Sequence, residues 1–160
     1  MDATAERTLL ITLTGRDRPG VTSRLFSTLA EFPLTVSDVE QVVIRGRLVL
    51  GVLVAYTDGV DIGQVWSAAE RVATDLDMEV ELSTGRFRTL PKRRGRLHVT
   101  VLGAPLRPAA MAGIAGRIAA GGANIDRIER LADNPVTCIE MDVSGADPEA
   151  LRAALAVAAA

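Results

Sequence analysis

Hydrophobic and polar positions first alternate along this chain and then recur at helical spacing. Residues 7–14 alternate, and this period of two predicts a β-strand. Its apolar face consists of Leu9, Ile11 and Leu13. After a turn at 15–20, an amphipathic helix is predicted from an apolar stripe formed by Val21, Leu25, Leu29 and Phe32. Pro19 is expected early in this helix, where its missing N–H costs little, and Pro33 ends it.

A hairpin and a second helix follow. The β-rich runs 34–44 and 48–55 flank the turn Arg45-Gly46-Arg47. Irregular alternation around Asp38-Val39-Glu40 predicts a β-bulge or a local twist. A second apolar stripe at helical spacing consists of Val65, Ala69, Val72 and Leu76. With a short strand at 78–82, the order is β-α-β-β-α-β, the α+β unit called ferredoxin-like.

The same order of elements returns after residue 95, which indicates an internal repeat. Gly103 follows Gly15 by 88 residues, and Asn124 follows Thr35 by 89. A nearly constant offset between corresponding positions is the signature of a duplicated supersecondary unit. We therefore predict two ferredoxin-like units in tandem, so that function lies in the copies or between them.

The second copy is one strand shorter than the first. Its predicted strands and helices are 97–102, 109–120, 123–131, 136–143 and a last helix from residue 148. Asp147 precedes that helix as N-cap, and no counterpart of the strand 78–82 follows before Ala160. A missing fourth strand leaves an unpaired sheet edge. We expect that a longer parent chain continues past Ala160, the alternative being a neighbouring chain that completes the sheet.

We predict domain boundaries at residues 1–84 and 96–160, joined by a linker at 85–95. Six positive charges lie in and beside this linker, at Arg86, Arg88, Lys92, Arg93, Arg94 and Arg96. Nucleic-acid sites add aromatic side chains on which bases stack, and only Phe87 is present here. We interpret the segment as a solvated connector and expect no nucleic-acid partner.

Composition narrows the class of protein further. With 48% hydrophobic and 24% charged residues and a formal net charge of −2, the chain is an ordinary globular one with no bias toward nucleic acid or anionic membrane. No apolar run approaches the ~20 residues that span a bilayer, and no signal-peptide pattern opens the sequence. The single Cys138 excludes an internal disulfide, which is consistent with the expected cytoplasmic location.

The turn before the first helix carries the clearest chemical pattern. Gly15 allows a turn that a Cβ would hinder, and Gly20 allows close approach to the backbone. The N–H groups of Gly20, Val21 and Thr22 stand at a helix N-terminus, where partial positive charge favours a carboxylate. Asp17 can accept hydrogen bonds from an ammonium group. This combination fits a free α-amino acid; the alternative is a tight turn in which Asp17 caps the helix.

The sequence Gly15-Arg16-Asp17-Arg18-Pro19-Gly20-Val21, inside this order of elements, resembles the signature of ACT domains, the amino-acid-sensing modules of metabolic enzymes. A narrower resemblance is to the N-terminal tandem ACT half of actinobacterial phosphoserine phosphatases. It is carried, in the right order, by Leu10–Gly20, Val39–Arg45, Leu50–Val54 and Ala123–Asp126. The resemblance implies L-serine as ligand, a role in serine biosynthesis, and a separate phosphatase domain that would hold any Mg²⁺.

The resemblance also implies which residues contact the ligand. The ligand loop corresponds to Gly15, Asp17, Pro19, Gly20 and Val21. Asn124 corresponds to the polar residue that faces the ligand from a partner ACT unit, within one chain or between chains. Thr35, its counterpart in the first copy, is shorter, and the second loop keeps Gly103 but lacks the aspartate and the Pro-Gly pair. We therefore expect unequal copies, with only a secondary site at Thr35 and Gly103.

Catalytic and metal-binding patterns are weak. The stretch 75–79, Asp-Leu-Asp-Met-Glu, has the aspartate spacing of haloacid-dehalogenase-like phosphatases but ends in Glu at a helix end, so we interpret it as a solvated turn. His98, the only histidine, aligns with Leu10 on a strand, and we expect it to be structural, with no metal cluster around it. We therefore predict no catalytic residues, no metal and no cofactor in this chain.

Three functions remain open from the sequence. The first is a regulatory, amino-acid-binding region of a phosphoserine phosphatase, at least dimeric through strand-edge or helix packing. The second is a free-standing tandem ACT protein resembling glycine-cleavage transcriptional regulators, acting through protein partners. The third is a dimerisation module whose site has decayed. A reading frame that continues into an Asp-x-Asp-x-Thr stretch separates the first from the second, and amino-acid binding separates both from the third.

Overall fold

A computed structural model describes residues 7–86 and 95–157, which belong to two compact units, Met1–Thr89 and Leu90–Ala160. The first unit contains β1 (Arg7–Arg16), α1 (Val21–Leu29), β2 (Thr35–Ile44), β3 (Arg47–Tyr56), α2 (Ile62–Asp75) and β4 (Glu79–Arg86). The second contains β5 (Leu97–Gly103), α3 (Pro108–Ala120), β6 (Asn124–Ala132), β7 (Thr137–Ser144) and α4 (Pro148–Ala156). The predicted order of elements is confirmed in both copies.

The first unit is built on an antiparallel sheet of four strands in the order β2-β3-β1-β4. Alternate residues of the two central strands are buried in register, as in the pairs Leu9↔Val54 and Ile11↔Val52. The helices supply the rest of this core with Val21, Leu25, Leu29, Val65, Ala69, Val72 and Ala73. The apolar stripes found in the sequence are the buried faces of α1 and α2 except at their last positions. Helix α1 ends at Leu29, before the predicted stop at Pro33, so Phe32 and Leu76 lie just beyond the helix ends and are partly buried.

Strand β2 lies at the sheet edge and is solvent-exposed along its whole length. Its apolar residues include Val42 at 49% exposure and Ile44 at 62%. The register against β3 shifts between Val36 and Asp38, so the predicted bulge is present and begins slightly earlier than its sequence pattern indicated. Strand β3, with which β2 pairs, contributes buried residues to the core, whereas β2 contributes none. Alternation of apolar and polar residues therefore does not indicate burial along β2.

The second unit has a sheet of three strands in the order β5-β7-β6, and the predicted absence of a fourth strand is confirmed for the residues described here. Strand β5 is consequently an edge strand. The core is smaller than that of the first unit and consists of Val101, Ile118, Met141, Val143 and Leu151, with partly buried neighbours. Helix α3 contributes one fully buried side chain, Ile118, although nearly all its residues are apolar or small.

Asp147 is the N-cap of α4, as predicted: its carboxylate accepts a hydrogen bond from the N–H of Ala150 at 3.0 Å. The predicted linker falls mostly at 87–94, outside the described residues. Within the described ranges, no helix combines the length and apolar character required to cross a membrane.

We expect Asp147→Ala to lower the free energy of unfolding by about 1 kcal/mol, because the first turn of α4 loses its side-chain acceptor. Asp147→Asn keeps an oxygen in the same place and should unfold like the wild type. Urea denaturation of both variants measures the difference. Equal destabilisation by Ala and Asn would show that the hydrogen bond accepted by the side-chain oxygen does not contribute to stability.

Candidate functional site

The ligand loop inferred from the sequence begins later than expected, because β1 continues through Arg16. Gly15 is a buried strand residue opposite Leu48 and not part of the turn. A Cβ at this position would lie 2.8 Å from Cγ of Met78. Gly15 is therefore required by close packing against Met78, and the turn itself starts at Asp17.

The prediction that Pro19 is an early helical residue is wrong. Helix α1 begins at Val21, and Gly20 adopts φ 91° and ψ −6° in the left-handed region. Proline followed by a glycine with these angles is the pattern of a type II turn. Because a residue with positive φ cannot belong to a right-handed helix, the helix starts after Gly20 and Pro19 lies in the turn before it.

The start of α1 is open to solvent on the loop side. Residues 16–20 are exposed, and no side chain caps the helix, so the alternative in which Asp17 is the cap is not observed. The backbone N–H of Asp17 donates to the carbonyl of Gly46 at 2.8 Å, which attaches the loop to the β2–β3 hairpin. Among the described residues, the Asp17 carboxylate has no hydrogen-bond or ion-pair partner. The loop before α1 therefore holds an exposed aspartate in sequence just before an uncapped helix start.

One polar contact at this loop could not be read from the sequence. The Thr22 hydroxyl donates to Oε1 of Gln41 at 2.7 Å and joins the first turn of α1 to the exposed strand β2. The amide NH₂ of Gln41 is then left as a donor beside the helix start. Nothing in the local sequence pairs residues 22 and 41, because the contact depends on how α1 packs across the sheet.

Two arginines connect the loop and α1 to the C-terminal end of α2. Arg18 donates to the carbonyl of Leu76, and Nη2 of Arg24 lies 3.0 Å from Oδ2 of Asp75. Asp75 is the last residue of α2, and both partners of this ion pair are more than half exposed. The prediction of a solvated turn for the stretch 75–79 agrees with this setting at a helix end.

In the second unit, Asn124 opens β6 and is exposed, and Thr35 occupies the corresponding place at the start of β2. The Asn124 amide donates to Oδ1 of Asp126 at 2.7 Å and to the carbonyl of Ile125 at 3.2 Å. Its cross-strand neighbour Ser144 is buried, and the hydroxyl of Ser144 has no partner among the residues described. A polar environment thus surrounds the start of β6.

The second loop differs from the first as the sequence indicated. A Cβ on Gly103 would lie 2.9 Å from Cα of Leu106, so this glycine is also required by packing. Helix α3 begins with Pro108 and has no side-chain cap. In the first unit the structure shows a contact between Thr22 and Gln41, and it places Asp17 and Gly20 in the exposed loop that leads into α1. The pairing of this loop with Asn124 stays a prediction.

The structure places two carboxylates beside His98, although nothing in the sequence indicated a cluster around it. Nδ1 of His98 lies 2.8 Å from Oδ1 of Asp142 and 3.9 Å from Oε1 of Glu140. His98 and Asp142 are cross-strand partners on β5 and β7, and Glu140 follows on the same face of β7. Sequence alignment of the two copies placed His98 correctly on a strand but gave no information about its neighbour across the sheet.

The protein therefore consists of two ferredoxin-like units, and the N-terminus of the first helix in the first unit is exposed and uncapped. Family models described as ACT domain match residues 7–83 and 97–160. The chain belongs to the ACT domain family and holds two such domains in tandem.

Two curated relatives are similar to this chain along most of its length. A phosphoserine phosphatase of Streptomyces coelicolor is 47% identical over 153 residues, which cover 96% of this chain and 37% of that protein. A phosphoserine phosphatase of Mycobacterium tuberculosis is 43% identical over 146 residues, which cover 88% of this chain and 34% of that protein. The chain thus spans about a third of the length of these relatives.

Two solved structures share the fold of the whole chain. A crystal structure described as a glycine cleavage system transcriptional repressor has a TM-score of 0.77 at 13% identity, covering 97% of this chain and 91% of its own. An unknown protein of Galdieria sulphuraria has a TM-score of 0.73 at 19% identity, with coverages of 96% and 91%. At these identities the likeness establishes the fold alone.

We expect Gly103→Ala to destabilise the protein by about 1–3 kcal/mol, because the new methyl group meets the Leu106 backbone, which cannot move aside. Gly15→Ala should cost less, since the Met78 side chain it meets is flexible. Gly116→Ala in α3, where a Cβ meets nothing within 4 Å, is the control and should be neutral or stabilising. Denaturant unfolding ranks the three; wild-type stability of Gly103→Ala would contradict the packing explanation.

Proposed function

We propose that this chain is the amino-acid-sensing region of a phosphoserine phosphatase, that it binds L-serine, and that it mediates assembly of at least two chains. The observation that carries the proposal is the 47% identity to a phosphoserine phosphatase across 96% of the chain. In this proposal, the phosphatase activity belongs to a part of the relatives that this chain does not cover. The tandem ACT region would sense the amino acid product of that activity.

The loop of the first unit supports amino-acid binding. An uncapped helix start offers N–H groups and partial positive charge to an α-carboxylate, worth about 0.3–1 kcal/mol per exposed group and more when partly buried. The Asp17 carboxylate, exposed and adjacent, can accept from an α-ammonium. These two groups read only the features common to all amino acids.

Selection among amino acids needs a further polar group. Thr22 and Gln41, joined at 2.7 Å, lie beside the helix start and offer a hydroxyl oxygen and an amide NH₂ to a small polar side chain. A serine hydroxyl can accept from that amide, whereas glycine leaves it without a ligand partner. Asn124 keeps in this proposal the role that the family resemblance implies.

Regulation follows if the ligand binds one arrangement of ACT units more tightly than another. The attachment of Asp17 to Gly46 gives the loop a direct connection to the β2–β3 hairpin. Ligand contacts at the loop would therefore influence the position of the exposed edge strand β2. The free-standing regulator gains no specific support, because its structural likeness rests on 13% identity.

We expect calorimetry to detect L-serine binding, with weaker binding of glycine and of phosphoserine. Asp17→Asn should weaken serine binding about tenfold or more, since one charge-assisted hydrogen bond to the ammonium is lost. Asn124→Ala should also weaken it. Asp58→Asn is the matched control, because Asp58 pairs with Arg7 at the opposite end of β1.

The same titrations distinguish the alternatives. Absence of heat with all three ligands, in a protein whose folding is verified by circular dichroism, supports a module whose site has decayed. Serine binding that survives in Asp17→Asn and Asn124→Ala alike would refute the proposed site. Gly20→Ala is less informative, because its left-handed φ strains any residue with a Cβ and so alters the loop itself.

A further inference from the structure

The second sheet has a face that the helices do not cover, and this open face carries a compact polar cluster. Buried Val101, Met141 and Val143 point toward α3 and α4, so their neighbours along β5 and β7 point the other way. His98, Glu140 and Asp142 lie on that open face, and their ligand atoms all fall within 4.8 Å of one another. They are held by two strands paired in continuous register from Leu97 to Gly103.

The fold does not require charge at these positions. The first unit has Leu10 where the second has His98, and Leu10 pairs with Leu53 across the sheet as His98 pairs with Asp142. The position of Glu140 is taken there by Gly51, which pairs with Thr12. Because the same architecture forms with apolar and small residues in one copy, the cluster is a property of the second copy alone.

The two carboxylates of the cluster have few cationic neighbours in the described part of the chain. Among the described residues, His98 is the only ion-pair partner of either carboxylate. Arg127, the cross-strand neighbour of Asp142 on β6, instead pairs with Glu129 at 3.2 Å. With a neutral imidazole, two negative carboxylates therefore stand side by side, and like charges on neighbouring side chains repel.

We propose that His98, Glu140 and Asp142 bind a divalent first-row transition-metal ion of the Zn²⁺ class. An imidazole nitrogen and carboxylate oxygens are each ligands of Zn²⁺, and here three of them lie close enough to share one ion. Ligand atoms about 3.0–3.4 Å apart surround an ion at bond lengths near 2.1 Å. The observed 2.8 and 3.9 Å need only small side-chain rotations to reach this spacing. Three protein ligands leave a coordination position open to water or to another donor.

The site depends on neither serine nor the ligand loop, so its test is independent of the proposed function. His98 is the only histidine, so its imidazole signals in a proton–nitrogen NMR spectrum need no assignment. One equivalent of Zn²⁺ added to tag-free wild-type protein should shift these signals with 1:1 saturation. Calorimetry with Zn²⁺ should show at least a tenfold loss of affinity in His98→Gln and in Asp142→Asn.

Asp133→Asn supplies the control, because it removes the same charge from the same unit at a carboxylate paired with Arg130. It should bind Zn²⁺ like the wild type. Imidazole signals that Zn²⁺ leaves unchanged would reduce the cluster to an exposed ion pair only and overturn the proposal. Equal affinity in His98→Gln, or an equal loss in Asp133→Asn, would also overturn it. The wild-type NMR titration decides the matter even where a variant fails to fold.

Discussion

Burial of one face of the central strands, β1 and β3 in the first unit and β7 in the second, governs the rest of each unit. In the first unit, alternate residues of β1 and β3 meet beneath the helices, and Leu9, Ile11 and Leu50 are fully buried there. Each such side chain contributes about 1.5–3 kcal/mol relative to exposure, so a one-residue slip would lose most of the core. The pairing therefore fixes which side chains reach solvent on the opposite face and where each strand ends.

The burial of one sheet face determines the positions of both candidate sites, which lie in different parts of the protein. The loop after β1 lies at the end of a buried strand, so a rigid element positions its exposed carboxylate and the start of α1. The His98 cluster lies on the face that the same alternation directs away from the helices. Neither site uses the core, which explains how two copies of one fold can carry different chemistry. The two copies share the order of their first five elements, while their open faces and loops differ.

Local sequence determined most of the loop's character but not its geometry. The residue types of Asp17 and Gly20 in the sequence already predict an exposed turn. The start of the helix was misplaced because Pro19 suits both a first helical turn and a type II turn. The positive φ of Gly20 decides between them, and φ depends on how β1 delivers the chain to α1.

By itself the sequence determined the repeat, the order of the described strands and helices and the Asp147 cap, because each depends on neighbours within a few residues or on a constant offset. The tertiary structure alone decided that Gly15 and Gly103 serve packing, that Thr22 reaches Gln41, and that His98 meets Glu140 and Asp142. Those contacts join residues far apart in the chain. Strand register and helix packing bring them together, and no local pattern encodes either.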